Sequence, residues 1–125
     1  MTPSDHENVE NPAERDARVI RGWFDERVPL VVLDVRESSE RAYAAIPVPQ
    51  GVGDLFVPMR EVSARVDEIR QAVESGLLVV YCHHGVRSMA VARWLAAQGL
   101  GMIVNLKGGI DAWSIEVDPS VPRYF

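Results

Sequence analysis

A chain of 125 residues, 47% of them hydrophobic, is long enough to bury one core and fits a single globular domain. Its formal net charge is −5, and most of that charge sits at the start of the chain, where Asp5, Glu7, Glu10, Glu14 and Asp16 face only Arg15. The nearly neutral remainder has no basic stripe, which argues against nucleic acid as the main partner, because phosphate neutralisation needs clustered Lys and Arg. No apolar run approaches the ~18 residues of a membrane helix, and no secretory core opens the chain, so no membrane association is expected. Cys82 is the single cysteine. It rules out an internal disulfide, and a free thiol suits a reducing compartment such as the cytoplasm.

Residues 1–11 are polar, acidic and aperiodic and read as a flexible tail, leaving 12–125 as the domain. Asn11-Pro12 predicts a helix start, with Asn11 as cap and Val19, Ile20, Trp23 and Phe24 on one face. Residues 30–33, 77–81 and 102–104 are unbroken apolar runs, the pattern of parallel strands buried on both faces. Between the first two, Met59, Val62, Val66, Ile69 and Val73 form a helical stripe that Ser75-Gly76 closes. Residues 88–98 predict a further helix, nearly apolar all round, hence largely buried, and ended by Gly99. Alternating strands and helices imply a mostly parallel central sheet with helices on both faces.

In open α/β sheets ligands bind at the carboxyl ends of the strands, and there the sequence places Cys82, His83, His84, Gly85, Val86, Arg87 and Ser88. Gly85 permits a tight turn, and a helix beginning near Ser88 aims unpaired N–H groups into the loop, where they favour an anion. A thiolate is such an anion. A buried structural cysteine gains nothing from this setting, whereas a nucleophile gains both access and activation. Arg87 is a candidate ligand for an anionic donor. His83 and His84 are candidate hydrogen-bond donors whose side chains are expected to diverge, one of them toward solvent. Cys82, His83 and His84 are consecutive and lack ordinary ligand spacing, so no metal site is expected. Asp34 and Arg36, at the end of the first central strand, are expected to form an internal ion pair that pins loops. Trp113 is expected to pack.

VVYCHHGVRS (79–88) resembles the active-site loop of rhodanese-like domains, LDVRE (33–37) resembles the family's first strand motif, and GGIDAW (108–113) resembles its closing motif. The resemblance runs from about residue 16 to the C-terminus. It implies an α/β rhodanese-like three-layer sandwich and a sulfurtransferase with a persulfide on Cys82, loop amides surrounding the sulfur. It implies a small sulfur donor such as thiosulfate or a persulfide, a thiol or protein acceptor, and no cofactor. Four residues separate Cys82 from Arg87, the short loop of the sulfurtransferases; phosphatases and arsenate reductases of the same fold carry one more. The alternatives are such a phosphatase or reductase, or a binding or regulatory module without turnover. One departure stands out: the family's Gly-His-Ile-Pro-Gly-Ala stretch is replaced by Ala45-Ile46-Pro47-Val48-Pro49-Gln50-Gly51-Val52-Gly53-Asp54, without its histidine. The following Phe56-Val57-Pro58-Met59 resembles the family's short strand and helix start.

Overall fold

The computed structural model describes residues 12–74 and 76–125, so the acidic tail, Asn11 and Ser75 lie outside the described residues. Its frame is a parallel sheet built from β1 (Ala13–Arg15), β2 (Leu30–Asp34), β3 (Gly53–Phe56), β4 (Leu77–Tyr81) and β5 (Met102–Leu106), in the order β1-β5-β4-β2-β3. The three predicted apolar runs are the three inner strands. Their side chains alternate between two cores. Val31, Leu33, Leu78, Val80 and Ile103 face one, while Leu30, Val32, Val79, Tyr81 and Val104 face the other. Both faces are covered, which is why these strands show continuous rather than alternating hydrophobicity.

On the first face lie α3 (Val66–Ala72) and α4 (Val86–Ala97), contributing Ile69, Val91, Ala92, Leu95 and Ala96. On the second lie α1 (Ala17–Asp25) and α5 (Gly109–Glu116), whose Phe24 and Trp113 rings meet at 5.5 Å. A short helix, α2 (Ser38–Tyr43), follows β2 and is closed by a capping box between Glu37 and Glu40.

Four sequence expectations are corrected. Ala13–Arg15 is an edge strand, and α1 starts at Ala17 rather than at Asn11-Pro12. The open edge of β5 offers backbone partners to this segment, while the buried stripe Ala17, Ile20 and Phe24 begins only after it. The long stripe from Met59 is carried by two pieces, a 3₁₀ turn (Met59–Glu61) and α3, because the Met59 N–H is tied to Val35 O at 2.9 Å and the chain turns again before Val66. That helix ends at Ala72, ahead of Ser75-Gly76. Finally, α4 begins at Val86 rather than Ser88 and is not buried all round: Val86 is 79% exposed and Trp94 38%. Apolar composition marks a helix face for contact without saying how much of it a neighbour covers.

Candidate active site

The chain leaves β4 at Tyr81, places Cys82 at the carboxyl edge of the sheet and enters α4 three residues after His83. Gly85 makes that bend in the left-handed region, φ 97°, where its missing side chain also leaves room for Leu106 O and Gly108 N. The result is a cradle around one atom. Cys82 Sγ accepts hydrogen bonds from Gly85 N at 3.1 Å, Ser88 N at 3.3 Å and Ser88 Oγ at 3.2 Å. The access expected for Cys82 is not seen: it is only 1% exposed, because the donors of the loop close around its sulfur. Backbone donors at the first turn of a helix, converging on a sulfur, stabilise negative charge there.

Two further elements hold the cradle. From β5, the fully buried Asn105 donates from Nδ2 to Gly85 O at 3.1 Å and to Glu14 Oε2 at 3.0 Å, while its Oδ1 takes the Ser88 hydroxyl at 2.5 Å. Ser88 has one hydroxyl proton, so it can serve Asn105 beside a thiol and turn to the sulfur beside a thiolate. From α5, the first amides reach back to the loop, Ile110 N to Cys82 O at 2.9 Å and Asp111 N to His83 O at 3.2 Å. Gly109 makes this approach possible: with φ 62°, a Cβ there would lie 2.4 Å from both carbonyl oxygens. This is the structural content of the closing GGIDAW motif, with Trp113 packed on Phe24 as the anchor.

Beneath the rim lies a layer of ion pairs. Arg36 and Asp34, both fully buried, form a two-pronged pair, Nε to Oδ1 at 2.9 Å and Nη2 to Oδ2 at 2.8 Å. Arg36 also binds Ala44 O at 2.8 Å and Tyr124 Oη at 2.9 Å, joining the end of α2 to the C-terminal segment. Burial opposes the Arg36 charge, but the hydrogen bonds and negative charge of Asp34 outweigh it and hold the guanidinium protonated. Asp34 receives the Tyr81 hydroxyl at 3.3 Å and Arg41 at 3.3 Å as well. Burial, then the Asp34 charge, pushes the Tyr81 hydroxyl well above its ordinary range.

Arg87 departs from its expected place as a lone cation. Its guanidinium is forked onto Glu40, Nη1 to Oε2 and Nη2 to Oε1, each at 2.8 Å. Glu40 also accepts from Tyr124 Oη at 3.0 Å and from Glu37 N at 2.9 Å. The Arg87 hydrogen bonds, set against partial burial, lower the Glu40 carboxyl to about 2, and the same bonds raise Arg87. The histidines also depart from expectation. They do not diverge: the His83 ring stacks on His84 at 3.8 Å and on Tyr124 at 3.9 Å. Stacking shields more apolar ring surface than two separate side chains would. His84 is the solvent-facing member, and burial followed by the nearby His84 lowers the His83 imidazole. His83 Nε2 is buried without a hydrogen-bond partner among the described residues.

Val86 points to solvent at the head of α4. In the stretch that lacks the family histidine, Ile46 and Pro47 match the family's Ile-Pro, so Ala45 stands at the histidine position, and the buried Ile46 donates its N–H to Tyr81 Oη at 3.4 Å. The fold brings ligating atoms of His83, His84 and Asp111 within 4.8 Å, but Asp111 is committed to Arg123 at 2.8 and 3.3 Å and the two rings lie face to face rather than converging. Glu40, Asn105 and Tyr124 were not singled out from the sequence, and Gly109 was named only as part of the closing motif. Of the first three, Asn105 alone left a signal, a polar residue inside an apolar strand run.

Residues 17–116 match the rhodanese-like domain family, and the chain belongs to it. A sulfurtransferase of Allochromatium vinosum is 34% identical over 85 residues, covering 68% of this chain and 72% of its own. A rhodanese-like/PpiC domain-containing protein 12, chloroplastic, of Arabidopsis thaliana is 37% identical over 94 residues, covering 74% of this chain; the match spans only 30% of that longer protein. The crystal structure of a rhodanese-like domain protein from Staphylococcus aureus superposes with a TM-score of 0.69 at 25% identity, covering 90% of this chain and 99% of the other. A yeast protein tyrosine phosphatase of the rhodanese family shares the fold, with a TM-score of 0.65 at 19% identity over 90% of this chain and 92% of the other. These relationships establish the rhodanese-like family and fold of the chain. Among the described residues no helix is long and apolar enough to cross a membrane.

Proposed function

We propose that the protein moves sulfane sulfur through a persulfide on Cys82. The observation that carries this reading is the cradle: Gly85 N and Ser88 N donate to one sulfur atom, and the Ser88 hydroxyl lies 3.2 Å from it, free to turn its proton to a thiolate. The Cys82 thiolate attacks the outer sulfur of a donor, thiosulfate or a persulfide. A sulfur–sulfur bond forms on Cys82 as the donor's own sulfur–sulfur bond breaks, and the remainder leaves with the bonding electrons, as sulfite or as a thiolate. A thiol or protein acceptor, or cyanide in a test tube, then attacks the outer sulfur and returns Cys82 to the thiolate. The donors that hold the resting sulfur hold the anionic persulfide between the two steps, and no metal or organic cofactor is needed. Arg87 and the rim formed by His83, His84 and Val86 are assigned to donor binding, and Asp34, Arg36 and Trp113 to holding the frame.

The closeness of the cradle also weighs against a phosphatase. Its donors already touch the sulfur, and the loop has the four-residue span between Cys82 and Arg87 rather than a larger one for a tetrahedral oxyanion. Intact mass spectrometry tests the reading. Incubation with a sulfur donor should add one sulfur atom to the wild type, and cyanide should remove it. Cys82→Ser should stay unmodified; equal gain by that variant would sink the assignment.

A further inference from the structure

We propose that Glu40 sets donor selectivity: by occupying and neutralising Arg87, it turns the site away from the inorganic thiosulfate dianion and toward an organic persulfide, R–S–SH. This inference rests on the Cys82 transfer reading above. An arginine fork is the usual receiver for a sulfonate or carboxylate, because its two parallel N–H groups match two anionic oxygens. Here the two terminal nitrogens of Arg87 already each hold a Glu40 oxygen at 2.8 Å, and the Tyr124 hydroxyl and Glu37 N–H keep that carboxylate in place.

Four further arginines are likewise engaged, while Lys107, just past the end of β5, has no ion pair among the described residues. Arg36 is paired with Asp34, Arg41 with Asp34 and Asp54, Arg60 with Glu37, and Arg123 with Asp111. His84 Nε2 lies 3.8 Å from Asp111. A dianion approaching the Cys82 thiolate therefore meets like charge that these paired arginines do little to offset. What the rim offers instead is apolar and aromatic surface. His84, His83 and Tyr124 stack in sequence, Tyr43 sets its edge against Tyr124 at 5.8 Å and is 58% exposed, and Val86 is 79% exposed beside the loop. An organic R group gains from such a surface; thiosulfate has none to bury against it.

The step balances without an outside oxidant or reductant. The Cys82 thiolate bonds to the outer sulfur of R–S–SH, the R–S to S bond breaks, R–S⁻ leaves with the electron pair, and the proton remains on the sulfur now carried by Cys82. Glu40 also serves as the N3 residue of the α2 capping box, a position that glutamine fills equally well. Glu40→Gln thus removes the charge while keeping the cap.

The test compares thiosulfate with cysteine persulfide as donors to the full chain, with cyanide as acceptor, reading kcat/KM for each. The wild type should favour the persulfide by about tenfold or more, and Glu40→Gln should shift the ratio toward thiosulfate by about tenfold. Ionic strength supplies a readout on the unaltered protein. Raising salt should speed the thiosulfate reaction of the wild type, because it screens like charges, and Glu40→Gln should lose that rise. A wild-type thiosulfate rate that falls with salt, or an unchanged donor ratio in Glu40→Gln, would overturn the inference. If neither donor adds sulfur to Cys82, the transfer reading itself fails; if both load it equally, only the selectivity fails.

Discussion

The two ends of the sheet are built from the same strands and are chemically opposite. At the amino ends lies the larger surface cleft, about 820 Å³, lined by Pro29, Arg70, Glu74, Gly76, Leu100 and Met102 among others, and no ion pair among the described residues involves its lining. At the carboxyl ends Asp34, Arg36, Ser88 and Asn105 are fully buried and hydrogen-bonded. Burying polar groups is costly unless each finds partners, so their concentration at one end marks where the fold spends stability on chemistry. Cavity size alone would have pointed away from the end where Cys82 lies.

The largest expected contrast between the ends is in stability. Arg36→Met leaves Asp34 buried without its main partner and should lower the unfolding free energy by about 3–5 kcal/mol in urea titrations. Arg70→Met, which removes an exposed arginine whose side chain donates to Gln98 O, should change it by only about 0.5 kcal/mol. Similar losses in the two variants would break the comparison.

A pair of glycines sharpens it further. Gly109→Ala places a methyl 2.4 Å from the backbone oxygens of Cys82 and His83, at a positive φ. Backbone cannot step aside cheaply, so a loss of about 2–3 kcal/mol is expected, with sulfur transfer falling alongside. Gly101→Ala meets nothing nearer than Gly76 O at 3.8 Å and should be close to neutral in both measurements. Full sulfur transfer in a folded Gly109→Ala protein would mean that α5 does not position the loop.

The smallest effect concerns acid. Glu40 titrates at about 2 in the fold against an ordinary value of 4.5, chiefly because Arg87 hydrogen-bonds its charged form. Its folded value is depressed, so the unfolded chain takes up this proton first. The stabilisation is therefore complete above pH 4.5 and is lost as pH falls toward about 2. It should amount to about 1–2 kcal/mol after allowance for solvent at Arg87. Urea midpoints followed through that window should fall less steeply for Glu40→Gln than for the wild type, and parallel slopes would remove the Glu40–Arg87 pair as the cause.

The inner strands, the loop from Cys82 to Ser88 and the closing motif were legible because each depends on near neighbours in sequence: an unbroken apolar run, a glycine beside a cysteine, a helix start. The Asp34–Arg36 pair was legible for the same reason, being two residues apart at a strand end. The edge strand at Ala13–Arg15 was not. Asn-Pro followed by an apolar stripe is a sound local helix signal, and only the free edge of β5 makes extended backbone the better choice for these residues.

What the sequence determined by itself was the parallel α/β frame and the place of Cys82 at its carboxyl edge, since hydrophobic period and turn chemistry act over a few residues. What the tertiary structure decided was the company that cysteine keeps. Glu40 meets Arg87 across 47 residues and Tyr124 across 84, and Asn105 reaches Glu14 across 91. No local pattern announces such pairs, because a charged side chain is written in the same letter whether it faces water or a partner brought beside it by packing. Arg87 read as a free cation and proved to be a neutralised one; its charge was local, but its partner belonged to the fold.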